Sequence, residues 1–363
     1  MFGNVWPRRD IFVKGLSFFS KTQVGLGVDL GSEWLKVLKI SVRGSQVRLE
    51  HLARAPWSPG ELDTPGTAGA KVAALLQHLE IKDQVVVSSV AGHSVIVKRV
   101  MCEAESPKLL GEVVHRDARQ YIPFDITDVF LDYQYLSPGT KEKTHEVLLV
   151  ASKKKAVQGL GETMTQAGLS LSVVDVDAFA VCNAFEFNYP EFKTKPAYLL
   201  DIGGTQSVLC VLMGFEPVFL REVGFGGRSL SEAIAKRQGI SRSEAERLKL
   251  HGIDGGTAAD KEAVAQVVRQ TISGWCDEVK RLIGFYESST PEAVVAEQLF
   301  LSGGGALLPG IADAFAAEMG VSVELLDPFR RVDVPESRFQ PAFVRAVAPQ
   351  FVVPFGLSLR GIA

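Results

Sequence analysis

The sequence is short of the features that mark a metal centre, a disulfide scaffold or a nucleic-acid binder. Its four cysteines, Cys102, Cys182, Cys210 and Cys276, stand far apart with no CxxC pair. No Cys/His cluster has metal-ligand spacing either, so the expectation is a reduced cytoplasmic protein with buried thiols. The six histidines are scattered and form no HxH or HExxH arrangement, which removes the common zinc-hydrolase signatures. A formal charge of −3 with no basic block leaves no nucleic-acid footprint, and no nucleic-acid partner is expected. No apolar run approaches the roughly 20 residues that span a bilayer. Ser88 and Ser89 lie in an apolar stretch without a local His or Asp, so hydrolysis by an activated serine has no signature either.

What is present is ample core material. A chain of 363 residues with 46% hydrophobic and 22% charged residues is of a size for two lobes or two domains. Met1 to Gln23 carries Arg8, Arg9, Lys14 and Lys21 against Asp10, interleaved with Ile11, Phe12, Val13, Leu16, Phe18 and Phe19. Its apolar part is interrupted and no small-residue cleavage pattern follows, so a secretory signal is not expected. A membrane-surface helix, a mobile tail and a segment packed on the body all remain open for it.

The remainder reads as an α/β protein. Val24 to Asp29 and Trp34 to Ile40 form a hairpin that Gln46 to Leu52 extends into a meander. Pro56 to Gly69 reads as loop and Ala70 to Leu79 as an amphipathic helix. Gln84 to Val90 is a buried strand, continued in extended form by Val95 to Val100. A smaller α/β module spans 101–171: a helix from Ser106 to Tyr121, alternating strands around Phe130 and Glu146, and a helix ended by Gly168. Asp177 to Phe187 is a helix leading to a second hairpin, Tyr198 to Leu212. Ser241 with Glu244 spells a capping box. After the segment Gly252 to Gly256, a long helix runs from about Asp260 to Ser288, with a core stripe of Val264, Val268, Ile272, Trp275, Val279, Leu282 and Tyr286. Phe351 to Arg360 should form a terminal helix over the glycine turns. The division expected is an extension (1–23), a first lobe (24–100 and 172–196) with its module (101–171), and a second lobe (197–225 and 297–363) with a helical part (226–296).

One internal repeat stands out. VGLGVDLGSEWLKVLKI places Asp29, Gly31 and Ser32 after an apolar strand, and YLLDIGGTQSVLCVL repeats this with Asp201, Gly203, Gly204 and Thr205. Phosphates are bound by backbone N–H groups beside small side chains, and carboxylates at strand ends can hold water around Mg²⁺. Either hairpin alone reads equally as a structural turn; their repetition suggests a nucleotide clamp between two related lobes. Gly303, Gly304 and Gly305 follow a third strand and suit an adenosine lying on backbone, or a tight strand-to-helix turn. Glu246 and Lys249 share one helical face, as a ribose and base contact or as a solvated ion pair.

With YIPFDITDVFLDYQ, EVLLVAS, VVDVDAFAVCNAFE, GGRSLSEAIAKRQGISRSEAERLK and LSGGGALLPGI on the page, the chain from Val24 onward resembles the actin/Hsp70/sugar-kinase ATPase superfamily. Within it, the chain is similar to the PilM family of type IV pilus assembly proteins, which is itself similar to the cell-division protein FtsA. The resemblance implies a two-lobed actin/Hsp70-like ATPase fold with an FtsA-like extra subdomain, and ATP with Mg²⁺ as ligands. It assigns Asp29, Gly31, Ser32 and Lys36 to the first phosphate motif and Asp201, Gly203, Gly204 and Thr205 to the second. Asp29 and Asp201 would hold Mg²⁺ through water. Gly226, Gly227, Glu246, Lys249 and Gly303 to Gly305 would contact adenosine. It further implies a cytoplasmic protein held at the inner membrane by partners: a PilN-like protein through its N-terminal peptide, and indirectly PilO and the pilus motor. Homo-oligomers are compatible with it. ATP would act by setting the angle between the lobes.

The first turn departs from the family pattern, with Glu33 and Trp34 where small hydroxyl residues are usual. No residue is recognisable as the group that positions an attacking water, so at most a slow ATPase is expected. Two other readings stand beside this one. A small-molecule kinase would need Asp175 or Asp177 as its base. An FtsA-like membrane-associated filament protein would carry a membrane helix beyond the core, where this sequence stops at Gly361-Ile362-Ala363; its basic N-terminal stretch would have to substitute.

Overall fold

A computed structural model of the chain describes residues 22–139, 142–251, 257–290 and 292–362. The basic stretch up to Lys21 and the segment Gly252 to Gly256 lie outside the described residues. The chain divides into two compact units, one running to Asn183 and taking in the segment from Val353, the other Ala184–Val352.

In the first unit, β1 (Gln23–Leu30), β2 (Trp34–Arg43) and β3 (Gln46–Pro56) form an antiparallel meander. α1 (Pro65–His78) follows, then β4 (Val85–Val90), which lies parallel to β1. β5 (Val95–Glu103), α2 (Leu110–Asp117), β6 (Val129–Pro138) and β7 (Thr144–Lys153) make a module of their own, its antiparallel sheet ordered β5-β7-β6. Leu110, Val113 and Val114 of α2 close its core against Val100, Val147 and Leu149. α3 (Lys154–Gln166) returns the chain to β8 (Ser170–Val176), parallel to β4, and completes a five-stranded sheet in the order β3-β2-β1-β4-β8. α4 (Asp177–Asn188) leads away from it.

The second unit repeats this plan. β9 (Pro196–Ile202), β10 (Ser207–Met213) and β11 (Glu216–Val223) form the meander. α5 (Gly227–Gln238), α6 (Arg242–His251) and α7 (Ala258–Ser289) follow. β12 (Gln298–Ser302) runs parallel to β9; after α8 (Ile311–Met319), β13 (Ser322–Leu325) runs parallel to β12, giving the order β11-β10-β9-β12-β13. α9 (Pro341–Val347) follows in this unit, and α10 (Val352–Arg360) carries the chain back into the first. The predicted stripe on α7 is core: Val264, Ile272, Trp275, Val279, Leu282 and Tyr286 are buried, and Trp275 stacks on Phe225 at 5.1 Å.

Several elements differ from the sequence reading. α1 begins five residues earlier than expected, because Thr64 caps it through the Thr67 N–H and Pro65 occupies its first position. The helix expected from Ser106 to Tyr121 is α2 flanked by 3₁₀ turns at Pro107–Leu109 and Ala118–Gln120; Pro107 sets the first turn, and Pro123 forces the chain out of helix before it. At the start of α6 the Glu244 N–H reaches Ser241 Oγ as expected, and a full reciprocal box opens α7, between Thr257 and Asp260. Pro341–Arg360, with an 18-residue window at a mean hydropathy of 1.4, does meet the length and composition of a membrane-crossing helix, but 78% of that window is buried inside the protein. Burial of a nearly all-apolar core helix produces the same signal.

The terminal helix is placed differently as well. The 3₁₀ turn before it, Ala348–Phe351, meets the third glycine turn, with the Gly303 N–H donating to Pro349 O at 2.8 Å. α10 itself lies on β1. A Cβ on Gly25 would stand 2.0 Å from Ser358 O, and one on Gly27 2.3 Å from Pro354 O. Gly356 gives the same close approach to α4, where its Cβ would meet Ala180 O at 1.9 Å. Ser358 Oγ lies 2.8 Å from both Leu38 O and Pro354 O, which ties the helix to β2. Arg360 reaches Asp175 of β8, Nε to Oδ2 3.9 Å, with both side chains buried.

Two outcomes follow from this docking. Gly25→Ala or Gly356→Ala should destabilise the protein by about 3 kcal/mol, because backbone rather than a flexible side chain must give way; urea unfolding measures it, and an unchanged midpoint would refute the close approach. Burial pushes the Asp175 carboxyl up to about 6 from its ordinary 3.8, against the opposing effects of Arg360 and the Val176 N–H. The folded state therefore holds the proton more tightly than the unfolded state. Stability associated with Asp175 is full below about pH 4 and falls as pH rises through about 6, by roughly 3 kcal/mol. Thermal melts across pH 4 to 7 should show the wild type losing stability relative to Asp175→Asn as pH rises, and parallel curves would contradict the assignment.

Candidate functional site

The first hairpin sets Asp29 and Lys36 opposite one another on β1 and β2. Lys36 Nζ lies 2.5 Å from Asp29 Oδ2, and the carboxylate is nearly buried. Burying this carboxylate alone would be costly, so the cross-strand lysine supplies its counter-charge. The turn between the strands is held from outside: the Trp57 indole Nε1–H donates to Gly31 O at 2.7 Å, and the Trp57 backbone N–H to Glu33 O at 3.1 Å. Trp34 lies under the Arg54 guanidinium, 4.7 Å from its ring centre. Glu33 and Trp34 thus serve the hairpin through a backbone carbonyl and a stacked ring.

The second hairpin is organised by hydroxyl and backbone contacts. Asp201 ends β9 beside Ser302 of β12, and the buried Ser302 Oγ donates to Asp201 Oδ1 at 2.7 Å. The Gly203 N–H closes the turn on Gln206 O at 3.0 Å, where a Cβ on Gly203 would stand 2.5 Å from that oxygen. The start of α5 lies directly on this turn. The Gly227 N–H donates to Gly203 O at 2.9 Å and the Arg228 N–H to Gly204 O at 2.8 Å. A Cβ on Gly226 would meet Gly204 O at 2.5 Å. These glycines are accounted for by backbone meeting backbone, and two first-turn donors of α5 already have protein acceptors.

Glu246 and Lys249 do share a face of α6. Lys249 is a buried strut rather than an exposed contact: Nζ donates to Gly227 O at 3.1 Å, to Ser231 Oγ at 3.1 Å and to Glu246 Oε2 at 2.7 Å. Ser231 Oγ also lies 3.0 Å from Gly227 O. Glu246 keeps 44% of its side chain exposed against 8% for Lys249, so the carboxylate is the member of the pair that a solute can reach. Gly303 adopts φ +84, and a Cβ there would stand 2.4 Å from Ile202 O; one on Gly305 would stand 2.2 Å from Ile202 Cγ2. Both are demanded by β9. Gly304 is looser, its nearest neighbour being Gln350 Nε2 at 3.3 Å.

Within each unit, then, the structure gathers the expected residues. Asp29, Gly31, Ser32 and Lys36 share one hairpin; Asp201, Gly203, Gly204 and Thr205 share another, onto which Gly226, Gly227, Glu246 and Lys249 are tied. Sequence reasoning missed Trp57, Ser231 and Ser302. Ser302 immediately precedes the third glycine turn and Ser231 falls one helical turn after Gly227, so both had a positional signal; Trp57 sits in a Pro-rich stretch and had none. Among the described residues no group of three or more His, Cys, Asp or Glu could cage a metal. Single carboxylates at strand ends fit a cation held through water and phosphate.

Two sheets of one plan, each with an Asp-x-Gly turn after its first strand and with a small module carried between β4 and β8, define an actin-like ATPase fold. Solved structures share it: ethanolamine utilization protein EutJ from Carboxydothermus hydrogenoformans, 18% identical with a TM-score of 0.54 over 96% of this chain and 94% of that one, and MreB5 of Spiroplasma citri bound to ADP, 12% identical with a TM-score of 0.53 over 92% and 94%. The family model for type IV pilus assembly protein PilM matches residues 27–362, and the chain belongs to that family. It is 27% identical to a chain of a PilM-PilN type IV pilus biogenesis complex, with a TM-score of 0.83 over 93% of this chain and 98% of that one.

Replacing Lys249 by Met should remove three donor contacts beneath the start of α5. We expect a loss of roughly 2 kcal/mol, the scale of hydrogen bonds from a charged group, read as a lowered thermal midpoint; a neutral effect would mean that the strut carries no strain-free contact worth keeping.

Proposed function

We propose that this protein is the cytoplasmic, actin-like, ATP-binding scaffold of type IV pilus assembly, and that it takes up the N-terminal peptide of a PilN-like inner-membrane protein. The observation carrying this reading is the match over residues 27–362 to the PilM family, together with the full-length likeness to a chain solved in complex with PilN. Peripheral placement at the inner membrane, indirect links to PilO and the motor, and self-association belong to the same proposal. The three-stranded module of β5, β7 and β6 is a fitting platform, since an extended peptide can add to a sheet edge through backbone bonds with side chains in alternate pockets.

ATP is proposed to use the second hairpin and the residues tied to it: Asp201, Gly203, Gly204 and Thr205 toward phosphate, and Gly226, Gly227, Glu246 and Gly303 to Gly305 toward adenosine, with Lys249 acting from beneath by holding the Glu246 carboxylate. Asp29, Gly31, Ser32 and Lys36 are proposed as further phosphate ligands. Mg²⁺, held through water on Asp29 and Asp201, would neutralise phosphate charge. The Asp29–Lys36 pair supports the reading, because its lysine is a cation already directed to the carboxylate that the motif requires. Turnover is proposed to be slow at most.

The kinase alternative loses ground on geometry. Asp175 is buried against Arg360 and is no solvent-facing base; Asp177, half-buried, already accepts the Ser89 Oγ–H at 2.5 Å.

A synthetic peptide copying the N-terminus of the PilN-like partner should retain the protein on beads, with or without ATP; no retention in either condition would sink the scaffold reading. Titration with fluorescent ATP and Mg²⁺ should give saturable binding that Asp201→Asn weakens about tenfold, the loss of one good polar interaction. A coupled assay over sugars and small acids should stay at background.

A further inference from the structure

We infer that Trp57 is the positioning residue of the first phosphate turn, setting the direction of its backbone donors. The inference rests on the proposal that Gly31 and Ser32 face ATP phosphates. A hairpin turn leaves carbonyls that its own strands do not use. Here two of them, Gly31 O and Glu33 O, are taken by two donors of one residue, the indole N–H and the main-chain N–H of Trp57. A trans peptide is planar, so its N–H points opposite to its C=O. Fixing Gly31 O on the indole therefore fixes the Ser32 N–H on the far side of the turn, away from Trp57. Directed N–H groups are what a backbone anion site consists of.

Trp57 is itself held. Lys71 of α1 lies 5.6 Å from its ring centre, donating to Pro56 O and to the Glu61 carboxylate, and Glu61 also accepts the Ser58 N–H at 2.6 Å. On the other side, Trp34 pairs with Pro56 in the β2–β3 register and stacks under Arg54. Trp57 and the stacked Trp34 thus brace the turn from both sides, so that it is oriented before any ligand arrives.

The test compares Mg-ATP with adenosine, because only the former has phosphates to meet the turn. In Trp57→Phe the ring is kept and the indole donor is lost. Mg-ATP binding should weaken about tenfold, the loss of one directed hydrogen bond, while adenosine competes as in the wild type. Unchanged Mg-ATP binding would overturn the inference, and so would equal weakening of both ligands, which marks a general loss of structure. If the wild type itself bound no Mg-ATP, the proposed function would fall and the inference with it; if the wild type bound and Trp57→Phe bound equally well, the inference alone would fall. Should Trp57→Phe not fold, the wild type carries the test through its indole N–H signals, of which the four tryptophans supply one each. A signal that moves with Mg-ATP and not with adenosine supports the inference, and four unmoved signals overturn it.

Discussion

The first unit depends on one close approach, that of α10 to β1. Gly25 and Gly27 expose a strand backbone bare of side chains, and the Pro354 and Ser358 carbonyls occupy the space a Cβ would take. Through that contact the helix Val352–Arg360 is seated on the sheet that β1 opens. Gly356 extends the same arrangement to α4, Ser358 to β2 and Arg360 to β8. The hydrophobic effect drives such a helix inward without specifying where it stops; the missing Cβ atoms specify it. Asp29 stands two residues beyond Gly27, so the helix that seats β1 also seats the strand end that carries the candidate carboxylate.

The two hairpins share a plan and differ in what holds them. At Asp29 the means are charge and an aromatic brace: a lysine across the strands, a tryptophan outside the turn. At Asp201 the means are a buried hydroxyl from the neighbouring parallel strand and the backbone of α5 lying on the turn. The second arrangement recruits Gly226, Gly227, Ser231, Glu246 and Lys249 into one hydrogen-bonded body. Glycine there is required by packing before any ligand is considered. Braced turns of this kind hold backbone donors in place, which is what binding by donors requires.

Much of this plan was legible in the residues. Alternation and apolar runs marked the strands, the 3.6-residue stripe marked α7, and the repeated Asp-x-Gly pattern located matching strand ends, because each of these signals is local and has a fixed period. Helix starts were less legible. The Thr64-Pro65 signal lay inside a stretch dominated by Pro and Gly, and the 3₁₀ turns around α2 have no period of their own.

The sequence by itself determined the class of the chain, its repeated half, its family and the identity of the carboxylates and glycines at the turns, since covalent order and side-chain chemistry are sufficient for these. Tertiary structure alone decided what those residues do to one another. It assigned Gly25 and Gly27 to a helix more than 300 residues away in sequence, made Lys249 a strut, and buried Asp175 against Arg360. It also brought Trp57 to a turn with which it shares no motif. Such contacts join residues whose separation along the chain carries no pattern, and only folding closes the distance.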